Sequence, residues 1–227
     1  RETSFIELDF LPHGIHINPI NKNILAVYEK KGPHACEIDL QERRVVRYIP
    51  TDAKRLFYGH GTYSVDGSKL YSTETYQETH SGVITVRDSQ SLEYLGEFPS
   101  FGSNPHECKL IENGNVLIVT NAGGEGKFDV PCVCYIDIKS KRLLKKVALT
   151  NSKLNVGHIA VAKNGGLMVV SAPRSELSKQ VLGGVSIQRP GEDIVSMANP
   201  VDITQRMSGE ALSVVIHNVY TQETQHI

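Results

Sequence analysis

The chain has 227 residues, with 24 basic and 25 acidic side chains and a formal net charge of −1 at pH 7. This balance gives no support to nucleic acid or an anionic membrane surface as a partner, because both select clustered Lys and Arg. A hydrophobic content of 40% is typical of a soluble folded chain, and no apolar run approaches the roughly 18 residues that predict a membrane-spanning helix.

Two series of residues recur along the chain at nearly constant intervals. Asp39, Asp88 and Asp137 follow one another at intervals of 49 residues, and each ends a short β-type run. We expect each Asp side chain to accept hydrogen bonds from the backbone of the turn that follows it. Four histidines, spaced by 47, 46 and 52 residues, each lead a strand-like stretch that ends in a tight-turn signal: His13, His60, His106 and His158.

One unit therefore contains four strands in about 47 residues, which is the period of a propeller blade. The predicted blades cover residues 13–50, 60–98, 106–149 and 158–197, and a fifth begins near Gly209. Within the four blades the pattern predicts strands near 14–18, 23–28, 34–39, 44–50, 60–65, 69–74, 82–88, 93–98, 106–111, 115–121, 132–138, 143–149, 158–162, 166–171, 183–188 and 193–197.

We therefore predict an all-β fold, a single β-propeller domain over residues 1–227 built from four-stranded antiparallel blades. About four and a half blades are visible in the sequence. A ring of seven blades would need on the order of 320 residues at this period. We expect the sequence to cover only part of a longer protein, and the alternatives are a ring completed by a second chain or an unusual closure. The sequence leaves open whether a leader has been removed before Arg1.

The connections differ between the two ends of the predicted blades. Successive strands are antiparallel, so the loop before the first strand and the loop between the second and third strands open on the same face. On that long-loop face the connections are long and irregular: 29–33, 51–59, 75–81, 99–105, 122–131, 150–157 and 172–182. Because binding residues concentrate on long loops held by a rigid scaffold, we expect the function on this face.

The long-loop face also collects the candidate site residues. The four histidines begin the innermost strands, and we expect them to ring the mouth of the central channel, where converging imidazoles and carboxylates could bind Zn, Fe, Cu or Mn. Four further residues at or next to strand ends are candidates for ligand binding: Glu29, Glu74, Glu107 and Asn121. An alternative is that each His only anchors neighbouring blades through hydrogen bonds. We predict no catalytic residue.

Several stretches resemble a known family. The segments 55–67 and 96–107 are similar to signatures of the bacterial family catalogued as domain of unknown function 1513, and 117–124 and 157–161 continue the resemblance. The resemblance covers about residues 13–170. It implies a seven-bladed propeller related in shape to the quinoprotein amine dehydrogenase β-chain group, exported to the periplasm, whose genes often neighbour imelysin-type iron-uptake proteins. The chain departs from the family pattern after Gly124 and after Ala172.

The expected function is that of a non-enzymatic periplasmic propeller that binds a partner protein or a divalent metal ion on its long-loop face. The resemblance implies an accessory role in iron or other metal acquisition, with another periplasmic protein of an iron-uptake system as partner. Two alternatives stay open. One is a metal-dependent propeller hydrolase or lactonase that uses a metal-activated water, and the other is a purely structural interaction module.

Overall fold

The computed structural model describes residues 5–124, 130–162, 165–174, 183–197, 215–217 and 224–226. Within these ranges the single helical element is a 3₁₀ turn at Glu112–Gly114, and all other regular structure is β-strand. Accordingly, no helix among the described residues has the length and apolar character needed to cross a bilayer.

Four sheets of four antiparallel strands follow one another along the chain. The first contains β1 (Pro12–Ile17), β2 (Ile24–Glu29), β3 (Ala35–Asp39) and β4 (Arg44–Tyr48). The second contains β5 (Arg55–Tyr63), β6 (Lys69–Tyr76), β7 (Ser81–Asp88) and β8 (Tyr94–Ser103). The third contains β9 (Pro105–Ile111), β10 (Val116–Asn121), β11 (Cys132–Asp137) and β12 (Arg142–Ala148).

The fourth sheet contains β13 (His158–Val161), β14 (Leu167–Ser171), β15 (Gly184–Gln188) and β16 (Val195–Met197). In every sheet the strands pair in chain order. The prediction of an all-β fold made of four-stranded antiparallel propeller blades is confirmed. The start of a fifth blade near Gly209 lies outside the described residues, and beyond it a short hairpin pairs β17 (Val215–His217) with β18 (Thr224–His226).

The predicted Asp turns are also confirmed. The Oδ1 atom of Asp39 accepts hydrogen bonds from the backbone amides of Gln41 and Glu42 at 2.8 and 2.9 Å. Asp88 accepts two such bonds at the equivalent turn of the second blade. An Asp side chain bonded in this way replaces the backbone contacts of a turn. Asp39, Asp88 and Asp137 therefore stabilise the turn between the third and fourth strands of the first three blades, whereas the fourth blade has Gln188 at this position.

The core lies between the blades, because each central strand presents alternate side chains to two neighbouring blades. In β10 all six residues are buried. Leu117 and Val119 pack with Ile84 of the second blade, whereas Ile118 packs with Val169 of the fourth. Because a central strand packs against a neighbouring blade on each side, the second and third strands of a unit are apolar on both faces. The same packing between blades holds the innermost strands near one axis.

Three details of the long-loop face differ from the prediction. Strand β5 begins at Arg55 rather than near His60, and its pairing with β6 shifts register between Phe57 and Gly61, with Gly59 at a φ of 111°. The predicted long loop 75–81 shortens to four residues because β6 and β7 extend into it. The predicted loop 99–105 is mostly strand, since β8 continues to Ser103.

Candidate metal centre

The structure brings the four repeated histidines together at the point where the innermost strands meet. Each imidazole offers one nitrogen, and the nitrogens of His13, His60, His106 and His158 all lie within 4.8 Å of one another. The Nε2 atoms of His13 and His106 are 3.2 Å apart and share a hydrogen bond in which one ring donates its N–H to the other. We call these four residues the histidine cluster. That the cluster binds metal stays a prediction.

The histidine cluster has the shape of a regular tetrahedron. The six distances between its ring centroids lie between 4.9 and 5.2 Å. Four points whose six mutual distances are nearly equal form a tetrahedron. In a square-planar site the four ring centres would form a square, and at the same edge length the two diagonals of that square would be about 7 Å. The centre of this tetrahedron lies about 3.1 Å from each ring centre, close to the ~3.2 Å expected for an ion coordinated by a ring nitrogen at about 2.0–2.1 Å.

Two glycines allow the rings to approach one another. A Cβ atom on Gly14 would lie 2.1 Å from the carbonyl oxygen of Gly59 and 2.6 Å from Nδ1 of His60. Gly59 adopts a φ of 111°, which a residue with a side chain adopts only with strain. Both positions therefore require glycine if His60 is to enter the cluster.

In each of two blades a threonine on the neighbouring strand fixes the backbone at, or next to, a repeated histidine. The hydroxyl of Thr73 donates to the carbonyl of His60 at 2.8 Å and accepts from its amide at 3.3 Å. Thr120 makes the same pair of bonds with Glu107, next to His106, at 3.3 and 2.8 Å. These bonds stand where the regular ladder is interrupted by a register shift, so they hold the irregular segments that carry the imidazoles.

Three of the four imidazoles have lowered pKa values, which favours the neutral form that coordinates metals. Burial lowers the pKa of His60 to about 3. Burial, together with the neighbouring His60 and His158, lowers the pKa of His106 to about 3 as well. The pKa of His13 is also lowered, first by burial and then by His158. In addition, the buried Nε2 atom of His60 has no hydrogen-bond partner, which is costly for a polar atom unless a ligand occupies it.

Glu107 contacts the ring of His158 and orients it within the histidine cluster. Its Oε2 lies 3.4 Å from Nδ1 of His158 and accepts the amide of Ile159 at 2.7 Å, and its Oε1 lies 3.2 Å from Nζ of Lys109. Although burial alone would raise the pKa of Glu107, these contacts lower it to about 2. An ionised carboxylate on Nδ1 leaves Nε2 of His158 for the cluster, which is the usual arrangement behind a metal-bound imidazole.

The other three predicted ligand residues lie apart from the cluster. Both oxygens of Glu74 are occupied, since Arg87 donates to Oε1 at 2.6 Å and Arg55 to Oε2 at 2.9 Å. Asn121 is fully buried and bonds Ser100 through its Oδ1 and Nδ2 atoms. These contacts give Glu74 and Asn121 structural roles in the described part of the chain, so we do not carry them into the proposed site.

Glu29 reaches a cavity above the cluster. Its Oε2 accepts from the backbone amide and the ring Nδ1 of His34, at 3.0 and 2.8 Å. The cavity has a volume of about 420 Å³ and lies on the long-loop face, with contributions from all four blades. Its lining includes Lys30, Lys31, Tyr58, His106, Asn155 and Val156. Through His106 the cavity shares one wall with the histidine cluster.

Sequence reasoning singled out Glu29 and His106 but missed the other residues that line the cavity, and it missed the role of Glu107 as a support for His158. Lys30 and Lys31 lie in the loop 29–33 of the long-loop face. Two adjacent lysines form no sequence pattern that predicts a cavity. The signal for Glu107 was its place directly after a repeated His. The charged Arg87, which follows the uncharged run 81–86 in the same strand, was the corresponding signal for the buried partner of Glu74.

Comparisons with known proteins give a family and a fold. A sequence profile of the family described as "Protein of unknown function (DUF1513)" matches residues 7–223. Among solved structures, hydrazine synthase of Kuenenia stuttgartiensis superposes with a TM-score of 0.65 at 17% identity, over 82% of this chain and 53% of that chain. TolB from Acinetobacter baumannii superposes with a TM-score of 0.58 at 14% identity, over 82% of this chain and 43% of that chain. No curated protein sequence matches the chain.

The chain thus spans about half the length of the structures that it resembles, 53% and 43% respectively. At 17% and 14% identity the likeness shows the fold alone. It supports the propeller arrangement of the four sheets. Any chemistry has to be argued from the residues of this chain.

Proposed function

We propose that this chain, which belongs to the DUF1513 family of proteins of unknown function, binds one transition-metal ion through His13, His60, His106 and His158 and does not turn over a substrate. The observation that carries the proposal is the tetrahedral arrangement of the four ring centres, with six centroid distances of 4.9 to 5.2 Å. A further support is the buried and unpartnered Nε2 of His60.

The geometry selects among metals. Four imidazole rings with their centres at the corners of a tetrahedron suit Zn²⁺, which is almost always four-coordinate and tetrahedral in closed sites. A square-planar Cu²⁺ or Ni²⁺ site would need two long diagonals, and an octahedral site for Mg²⁺ or Ca²⁺ would need oxygen ligands. We therefore propose Zn²⁺ as the preferred divalent ion. Of the metals that the sequence left open, Fe and Mn are less well matched.

The same geometry favours binding over catalysis. A catalytic zinc keeps one position open for water or substrate, whereas four protein ligands fill the tetrahedron. A hydrolase or lactonase would need one of the four imidazoles to leave. Within this proposal the metal stabilises the junction of the blades and gives the long-loop face a fixed positive charge. The periplasmic location, the iron-uptake partner and the role in metal acquisition stay predictions from the resemblance.

The test is a metal titration of the purified, chelator-treated protein. We expect the protein to bind one Zn²⁺ per chain and not to bind Mg²⁺. Co²⁺ should compete with Zn²⁺ for the site, and the cobalt-loaded protein should show the intense visible absorption of tetrahedral cobalt. Failure to bind Zn²⁺ or Co²⁺ would reject the proposal and favour the alternative in which the histidines only join the blades. The hydrogen bond between His13 and His106 is the observation that supports this alternative.

A further inference from the structure

The cavity above the histidine cluster has no assigned ligand, and its lining is chemically selective. Lys30 and Lys31 bring two positive charges to its wall, and Nζ of Lys31 lies 5.7 Å from the ring centre of Tyr58. The acidic residue on the wall, Glu29, already accepts two hydrogen bonds from His34. Among the described residues, no carboxylate forms an ion pair with either lysine.

The walls between these charges are apolar. Val156 is fully buried beneath the cavity, and Leu11 and the ring of Tyr58 form further parts of the lining. Ligand sites typically combine apolar walls with a few polar groups that fix the orientation of the ligand. A volume of about 420 Å³ is within the range of about 300–1,000 Å³ that small-molecule sites occupy.

We propose that this cavity binds a small organic carboxylate, and that metal in the histidine cluster strengthens the binding. The inference rests on the proposed function. Four neutral imidazoles do not reduce the charge of a bound Zn²⁺, and the one carboxylate behind them, Glu107, is paired with Lys109 at 3.2 Å. The loaded cluster therefore places a further double positive charge beside the cavity wall formed by His106, in addition to the two lysines and opposite the single carboxylate of Glu29.

The coupling acts through space rather than through a bond. The four imidazoles complete the coordination of the ion, so the carboxylate does not become a ligand of the metal. Charges separated by less than a Debye length of about 8–10 Å interact strongly where water is partly excluded. By reciprocity, a carboxylate in the cavity raises the affinity for Zn²⁺ by the same factor by which Zn²⁺ raises the affinity for the carboxylate.

The experiment compares benzoate with its neutral isostere benzamide. Zinc binding is first measured alone, and benzoate is then titrated calorimetrically into the zinc-loaded and the zinc-free protein. We expect benzoate to bind the zinc-loaded protein about tenfold more tightly than the zinc-free protein, and benzamide to bind weakly and equally to both. A Lys30→Met, Lys31→Met variant retains the apolar stems, and we expect it to lose benzoate binding at least about tenfold while zinc binding without benzoate is retained.

The outcomes separate this inference from the proposed function. If Zn²⁺ binds but benzoate does not, or if benzoate and benzamide bind alike, the inference is wrong and the metal site stands. Equal benzoate affinity with and without bound Zn²⁺ overturns the coupling. Failure of Zn²⁺ to bind in the first titration rejects the proposed function itself, and with it the zinc-dependent gain.

Discussion

Replacing His60 with Ala is expected to reduce the affinity for Zn²⁺ by at least about 100-fold, because mutation of residues that merely support a ligand already costs about 10–100-fold. His60 offers the buried Nε2 atom that has no partner in the protein. Its loss opens one corner of the tetrahedron and leaves three imidazoles. The measurement is a competitive titration of Zn²⁺ against a chromophoric chelator.

Two variants control this prediction. His34 is a histidine outside the cluster that bonds Glu29, so a His34→Ala variant should retain the affinity for Zn²⁺. His158 is the exposed member of the cluster, so a His158→Ala variant should keep its fold even if His60→Ala does not. Wild-type affinity for Zn²⁺ in a folded His158→Ala or His60→Ala variant would show that the cluster is not the metal site.

Replacing Glu74 with Leu is expected to lower the free energy of unfolding by about 3–5 kcal/mol, since removal of one partner leaves buried charges uncompensated. Arg55 is 7% exposed and Arg87 is 1% exposed, and both donate to this carboxylate. Thr51 and Thr85 donate to it as well, at 2.7 and 2.6 Å. Chemical denaturation of the two proteins measures the loss.

An exposed glutamate provides the comparison. A Glu93→Leu variant changes a residue on the surface of the same blade and should alter stability by less than about 0.5 kcal/mol. A Glu74→Leu variant as stable as the wild type would contradict the structural role of this carboxylate. A selective loss of ligand binding in a variant of unchanged stability would instead restore Glu74 as a ligand residue.

The fold could be predicted from the sequence because its physical determinants repeat. The His positions recur in all four blades and the Asp turns in the first three, and each turn depends on hydrogen bonds between residues that are neighbours in sequence, such as Asp39 and Gln41. The same regularity predicted that the imidazoles would be neighbours at one axis. Residues that occupy the same position in successive blades lie at the same level along the propeller axis.

The details of the site could not be predicted in this way. The tetrahedral shape depends on the irregular pairing of β5 around Gly59 and on the small space beside Gly14, both of which follow from contacts between blades. Glu29, Glu74 and Asn121 stand at similar positions near the end of a second strand but have different partners. Which of them is sealed in the core depends on non-repeating neighbours such as Arg87 and Ser100.

The most direct measurement of the central claim is X-ray absorption at the zinc edge of the zinc-loaded protein. We predict four nitrogen neighbours at about 2.0–2.1 Å, with the outer-sphere scattering of four imidazole rings. In the His60→Ala variant at most three rings should remain. A zinc ion surrounded mainly by oxygen, or by fewer than three imidazoles in the wild-type protein, would contradict the account.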